Sequence, residues 1–235
     1  MTFTPLNEDE LAALRALDTP TVCNALEILV PERRGHGFTV EQLICSYPDL
    51  PPMVGYARTA TIRAMHPPSA PAEEVAATRI EYYEYVEQGP RPTIIVIQDL
   101  DPIKGFGSFW GEVQSNVHKG LGSLGVITDG CVRDIPDCAE GFQFISGSIK
   151  PSHAYVHAVD YDVDVTVAGM DVSTDDLIHA DMHGAVVIPH DVARQVPETA
   201  AMIARKEAVV IGASQKPGFS VDVLREAFKK QADIH

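Results

Sequence analysis

The chain has 235 residues, of which 45% are hydrophobic, enough for a substantial core without disulfide support. Its formal net charge of -15 has no basic cluster to offset it, which argues against nucleic-acid binding and requires any anionic substrate to meet local positive charge. The four cysteines form no CxxC pair and read as intracellular thiols, no apolar run approaches the about 20 residues of a bilayer span, and MTFTPLNEDE lacks the pattern of a signal peptide, so the expected setting is cytoplasmic, with no membrane partner.

Asn7 followed by Glu10 is a capping box, and Leu11, Leu14 and Leu17 at helical spacing predict a first helix ending near Asp18. Thr19 as N-cap and Pro20 at the first helical position open a second helix, whose buried face is Val22, Leu26 and Leu29. The stretch 31–52, rich in Gly and Pro, reads as loop. Residues 54–65 read as a strand, Pro71 opens a helix to about residue 87, and the β-branched run 93–97 reads as a strand buried on both faces. A Gly-rich loop, KGFGSFWG, leads into a helix over 111–121, and a strand over 125–128 ends in a turn at Asp129-Gly130. Short strands follow around 142–146, 154–159, 162–168 and 185–188, and two helices, 191 to about 207 and 220 to about 231, close the chain. No repeat or linker interrupts this order, which predicts one α/β domain with a β-rich second half and N-terminal helices as a candidate oligomerisation arm.

The segment Gly111-Glu112-Val113-Gln114 opens a helix after a loop, where free backbone N–H groups favour a carboxylate; ordinary capping accounts for such a start as well. Further along, the strand over 125–128 delivers Arg133 and Asp134 near its carboxyl end, the rim where open α/β sheets place ligands. Asp134 offers a hard oxygen to a divalent cation, and the planar guanidinium of Arg133 suits a carboxylate or an enolate; an internal ion pair that pins a loop is the other reading. Cys131 has no activating base in view and reads as a packing residue. His153, His157, His179, His183 and His190 crowd the later part of the chain without the spacing of a zinc motif.

The blocks WGEV and LGSLGVITDGCVRD, with the later MDVSTDDLIHADMHGAVVIP, resemble the RraA-like family. That family includes the 4-hydroxy-4-methyl-2-oxoglutarate / 4-carboxy-4-hydroxy-2-oxoadipate aldolases and the protein regulator of ribonuclease E. The resemblance covers roughly residues 10–210, leaves 211–235 as a C-terminal helical extension, and implies a single compact swivelling-type β/β/α domain with N-terminal helices. By position, it implies that the backbone of Gly111, Glu112, Val113 and Gln114 binds substrate, that Arg133 binds substrate and stabilises an enolate, and that Asp134 ligates Mg2+ or Mn2+. Glu112 matches an acidic position that holds metal-bound water. Glu207 matches a carboxylate contributed, through water, to the metal of a neighbouring subunit. Asp181, in a turn that is structural in the family, reads as a residue that shapes its loop.

Family members assemble as trimers or pairs of trimers, so a homotrimer or hexamer is expected. The implied activity is that of a metal-dependent carbon-carbon lyase on a small anionic 2-oxo acid, by retro-aldol cleavage of a 4-hydroxy-2-oxo dicarboxylate or by oxaloacetate decarboxylation, through a metal-stabilised pyruvate enolate. A non-catalytic protein-binding regulator, like the ribonuclease E inhibitor, is the alternative. The stretch HPPSAPAEEVAATRIEYYEYVEQG lacks the Pro-Gly-Asp turn that precedes the site strand in the aldolases, which implies a different substrate.

Overall fold

Residues 3–234 are described by the computed structural model, which begins with two side-chain-capped helices. In α1 (Glu8–Arg15) the Asn7 side chain accepts from the Glu10 amide at 3.0 Å while the Glu10 carboxylate accepts from the Asn7 amide at 2.9 Å, the expected box. The cap of α2 (Thr19–Leu29) is Asp18, one residue before the expected Thr19, and accepts from the Thr21 amide at 2.8 Å. Thr19 is drawn elsewhere: its hydroxyl lies 3.0 Å from Nδ1 of the buried His179. The stretch expected to be loop contains a short turn of 3-10 helix, Pro31–Arg33, and a two-residue strand, β1 (Ile44–Cys45).

The elements β2 (Met53–Arg63), α3 (Ala72–Glu87), β3 (Thr93–Asp99), α4 (Glu112–Gly120), β4 (Ser123–Val132) and β5 (Gln143–Ile149) follow. The strands β2, β3, β4 and β5 pair in parallel in that order, and β1 adds antiparallel to β5. β2 is long enough to hold two antiparallel partners on its other edge. One is β9 (Leu177–Asp181), along Met53 to Tyr56, and the other is β6 (His157–Tyr161), along Ala60 to Arg63. With β10 (Gly184–Ile188) beside β9, the described residues form an eight-stranded sheet. The strand expected over 162–168 is instead a hairpin, β7 (Val165–Val167) and β8 (Met170–Val172), which turns at Ala168 and Gly169, both at positive φ.

β4 departs from expectation where it matters for the site. Asp129 and Gly130 do not turn the chain but lie inside the strand, whose pairing with β5 shifts register between Thr128 and Cys131. Their turn-forming character is absorbed locally, since the Gly130 amide donates to Thr128 Oγ1 at 2.9 Å and the Asp129 carboxylate accepts from the Asp99 amide at 2.7 Å.

Alternation along β2 sorts the layers. Met53 and Ala57 face the β7–β8 hairpin in one core cluster with Val96, Val167 and Met170. On the other face Val54 and Tyr56 lie with Leu11, Val22 and Val196, whereas Ala60 and Ile62 lie with Tyr82, Trp110 and Phe142. A hairpin on one face and helices on the other is the layering the family resemblance implied. The tail consists of α5 (Val196–Ser214), longer than expected, and α6 (Val221–Ala232); Val196 and Ala200 are the buried residues of α5. Among the described residues no helix is long and apolar enough to cross a membrane.

Candidate functional site

Because β4 continues to Val132, Arg133 and Asp134 leave directly from its carboxyl end. Trp110 bridges Val132 in parallel, and the Arg133 amide donates to the Trp110 carbonyl at 3.0 Å, so the residue before Gly111 is fastened to the end of the strand. The Ser108 hydroxyl lies 2.7 Å from the Trp110 carbonyl and 2.8 Å from that of Cys131, bracing this junction. Gly111 lets Arg133 and Asp134 approach closely: a Cβ there would lie 2.6 Å from Asp134 Oδ2 and 3.2 Å from Arg133 Cγ, so a larger residue requires these side chains to shift. Four of the residues singled out in the sequence, Gly111, Glu112, Arg133 and Asp134, are thus brought together by two elements that only the fold makes adjacent.

Among the described residues no side chain caps α4, so the first-turn amides of Glu112, Val113 and Gln114 keep their donors at the positive end of the helix dipole. Glu112 and Val113 are exposed, while Gln114 is half-buried and accepts the Tyr83 hydroxyl on Oε1 at 2.9 Å. The Arg133 and Asp134 side chains stay 35% and 39% exposed and touch through Nε and Oδ2 at 3.4 Å, a single loose contact rather than a two-point fork. Most of the guanidinium therefore remains free for an anion.

Asp134 has a left-handed backbone, φ 54°, followed by the short turn Ile135–Asp137. The turn is held from behind by the Asp137 amide on the Asp134 carbonyl (2.9 Å), by Cys138 Sγ near the same oxygen (3.2 Å) and by the Tyr47 hydroxyl on the Ile135 carbonyl. Ser115 completes the brace, accepting from the Ala139 amide at 2.9 Å and donating to the Glu112 carbonyl at 2.8 Å. Ser108, Ser115 and Tyr83 escaped the sequence reading; of these only Ser115, one turn after Glu112, stands at a spacing that hints at its role.

Asp134 fits a divalent cation such as Mg2+ or Mn2+, whose small oxygen-preferring sphere takes one or two carboxylates and fills with water or substrate oxygen. Its carboxylate is partly exposed and opens onto the space kept clear by Gly111. No cluster of three or more His, Cys, Asp or Glu that could hold a metal occurs among the described residues, so a cation here would draw few protein ligands from one chain, Asp134 being the candidate and Glu112, on the adjoining helix start, a second.

Behind the site His118 is fully buried, with Nδ1 on the Gln114 carbonyl at 2.7 Å and Nε2 on the Tyr82 hydroxyl at 2.8 Å. Burial pushes its pKa down to about 4, so it stays neutral near pH 7 as a strut on the buried face of α4. Cys131 is buried and burial raises its thiol pKa, in keeping with packing. The Asp181 carboxylate accepts from the Thr19 amide (2.9 Å) and the His183 amide (2.8 Å), shaping the β9–β10 turn and tying α2 to it. Glu207 is exposed on α5, an element packed on α2 and α6, so the chain does not bring it to Arg133 and Asp134 within one subunit.

A family model described as RraA-like: Aldolase/RraA matches residues 19–187. Solved structures are similar over most of the chain. A protein from Pseudomonas syringae pv. tomato str. DC3000, described only as uncharacterized, has 22% identity and TM-score 0.71, covering 96% of this chain and 97% of that one. RraAS2 of Streptomyces coelicolor, described as an unusual member of the RNase ES inhibitor RraA protein family, has 23% identity and TM-score 0.67, covering 88% and 97%. The RNA-processing inhibitor RraA from Thermus thermophilis has 17% identity and TM-score 0.50, covering 71% and 92%. No curated protein sequence matches the chain. At these identities the structural likeness speaks for the fold.

Proposed function

The chain belongs to the RraA-like, Aldolase/RraA family, and from that premise we propose that it is a divalent-metal-dependent carbon-carbon lyase acting on a small 2-oxo acid. The observation that carries the reading is the uncapped start of α4 pressed, through Gly111, against the partly exposed Arg133 and Asp134. When bound at Asp134, Mg2+ or Mn2+ supplies Lewis-acid withdrawal of electrons from the 2-oxo group. The amides of Glu112, Val113 and Gln114 hold the substrate carboxylate, adding to Arg133 the local positive potential that an anion needs on a chain of net charge -15.

Arg133 stabilises charge that develops during bond cleavage. In a retro-aldol step the 4-hydroxyl loses its proton, the C3–C4 bond breaks, and its electron pair passes toward the 2-oxo oxygen, giving an enolate that the guanidinium favours. Protonation at C3 yields pyruvate. Decarboxylation of oxaloacetate breaks the bond to the leaving carboxyl in the same sense and releases carbon dioxide. Glu112, exposed at the mouth, is the group placed to move the proton through a water, since His118 is sealed in the core.

With few carboxylates from one chain, a further one from a neighbouring copy is part of the proposal, with Glu207 as the candidate and a homotrimer or hexamer, the assembly of the family, as the expected state. Light scattering checks this; a stable, active monomer would remove Glu207 from the site.

Pyruvate release from oxaloacetate, coupled to lactate dehydrogenase, tests the activity. Turnover should vanish with EDTA and return with Mg2+ or Mn2+, and Asp134→Asn should raise the metal concentration required while circular dichroism stays unchanged. Full activity after exhaustive chelation would dismiss the metal. An inactive protein that binds a ribonuclease would favour the regulator reading.

A further inference from the structure

Behind the loop that carries Arg133 and Asp134 lies an open cavity of about 540 Å³, within the range of small-molecule sites. One wall is the segment 46–50 and the other is 135–141, so its floor is the far side of the turn that positions Asp134. Tyr47, Leu50, Ile135, Pro136 and Ala139 make the walls mostly apolar. The cavity is braced, because the Tyr47 amide donates to Gln143 Oε1 at 3.1 Å, Gln143 Nε2 donates to the Tyr47 carbonyl at 2.7 Å, and the Tyr47 hydroxyl spans to the Ile135 carbonyl.

Its polar groups point to a ligand class. The charged residues lining it are Asp49 and Glu140, both exposed carboxylates. Ser46, also in the wall, has a buried hydroxyl with no hydrogen-bond partner among the described residues. Although the Lys119 ammonium donates to the Glu140 backbone carbonyl at the rim, the two carboxylates leave the cavity net negative, and an anionic 2-oxo acid is better met by the α4 amides and Arg133 on the other side of the loop. We propose that this cavity is a second binding site, for a small apolar cation such as an arylalkylamine. Its hydrocarbon lies against Tyr47, Leu50 and Pro136, and its ammonium is held by Asp49 and Glu140. Such a ligand touches the residues that directly follow Asp134 and stiffens the turn from behind. The site does not depend on the lyase reading.

The test uses the full chain and phenethylamine, with phenylacetate as the control of similar ring and opposite charge. Calorimetry at low ionic strength measures binding, and mass spectrometry follows iodoacetamide labelling of Cys138, a wall residue, against the other thiols. At several times its Kd, phenethylamine should slow Cys138 alkylation about fivefold by mass action, and phenylacetate should not. The variant Asp49→Asn with Glu140→Gln, both at the surface, should weaken phenethylamine about tenfold. Equal binding of phenylacetate, unprotected Cys138, undiminished affinity in the double variant, or cross-links showing a second copy seated on the cavity would each overturn the proposal.

Discussion

On the β9 side of β2, polar groups find partners within the protein: Asn7 and Asp18 cap their helices, Thr19 meets His179, and Asp181 holds both Thr19 and His183. On the parallel side, where β4 ends, α4 has no side-chain cap among the described residues, and Arg133 and Asp134 share one loose contact while remaining about one-third exposed. The same chain closes its hydrogen bonding in one place and leaves it open in the other. A ligand site requires donors and acceptors held in place yet sparsely partnered, and among the described residues this flank, braced by Ser108, Ser115 and Tyr47, supports the proposed catalytic reading over a merely structural ion pair.

The strongest way to break the contrast is Arg133→Lys, which keeps the charge and loses the planar fork. Steady-state kinetics should show kcat/KM reduced by at least about 100-fold, or about 2.7 kcal/mol, with little change in thermal stability. Loss of stability with near-normal turnover would make the two flanks alike, both structural. Next in size is the effect of pH on the two buried histidines, one beneath each flank. Unfolded His118 takes a proton near the ordinary pH of about 6.5, but the folded protein resists until about 4, so stability is complete above 6.5 and falls as pH drops toward 4. Urea titrations should show a loss of about 2 kcal/mol between pH 7 and pH 5 from His118, with His179, also pushed down by burial, adding in the same direction. His118→Gln should flatten the slope; an unchanged slope would mean that folding does not depress the His118 pKa.

A finer probe is Gly111→Ala, whose added Cβ must displace the Asp134 carboxylate. Metal affinity measured by calorimetry should fall about tenfold, whereas Gly120→Ala, with open space around it, should leave affinity unchanged. The smallest effect lies on the closed flank: Asn7→Ala removes half of the capping box and should cost about 1 kcal/mol in denaturant titration while kcat/KM stays as it was.

How much of this could be read beforehand follows from how local each cause is. The Asn7–Glu10 box, the run TIIVI of β3 and the GEVQ start of α4 are decided within a few residues, and the structure has them where spacing put them. β9 was missed because His179 and Asp181 look like turn residues until partners about 160 positions away, Leu14 on α1 and Thr19 on α2, satisfy them. Asp129 and Gly130 misled for a similar reason, since the bulge that admits them into β4 is set by its neighbours β3 and β5. At the site, motif and resemblance singled out Gly111, Glu112, Arg133 and Asp134. The fit of Gly111 against Asp134, the brace through Ser108 and Ser115, and the cavity under the turn depend on tertiary approach and leave no trace in spacing.

The positive φ at Asp134 has a consequence for reading other sequences of this fold. Gly tolerates that angle freely and Asp or Asn at small cost, while longer and β-branched side chains resist it. Asn there would preserve the bend and surrender the anionic oxygen; Glu, the nearer chemical analogue, would preserve the charge and distort the bend. The position thus filters by shape and by charge at once. On the proposed reading, a relative with Asn or Gly in this place would keep the bend and lack the anionic oxygen, so metal dependence measured in such relatives is a one-residue test of the role proposed for Asp134.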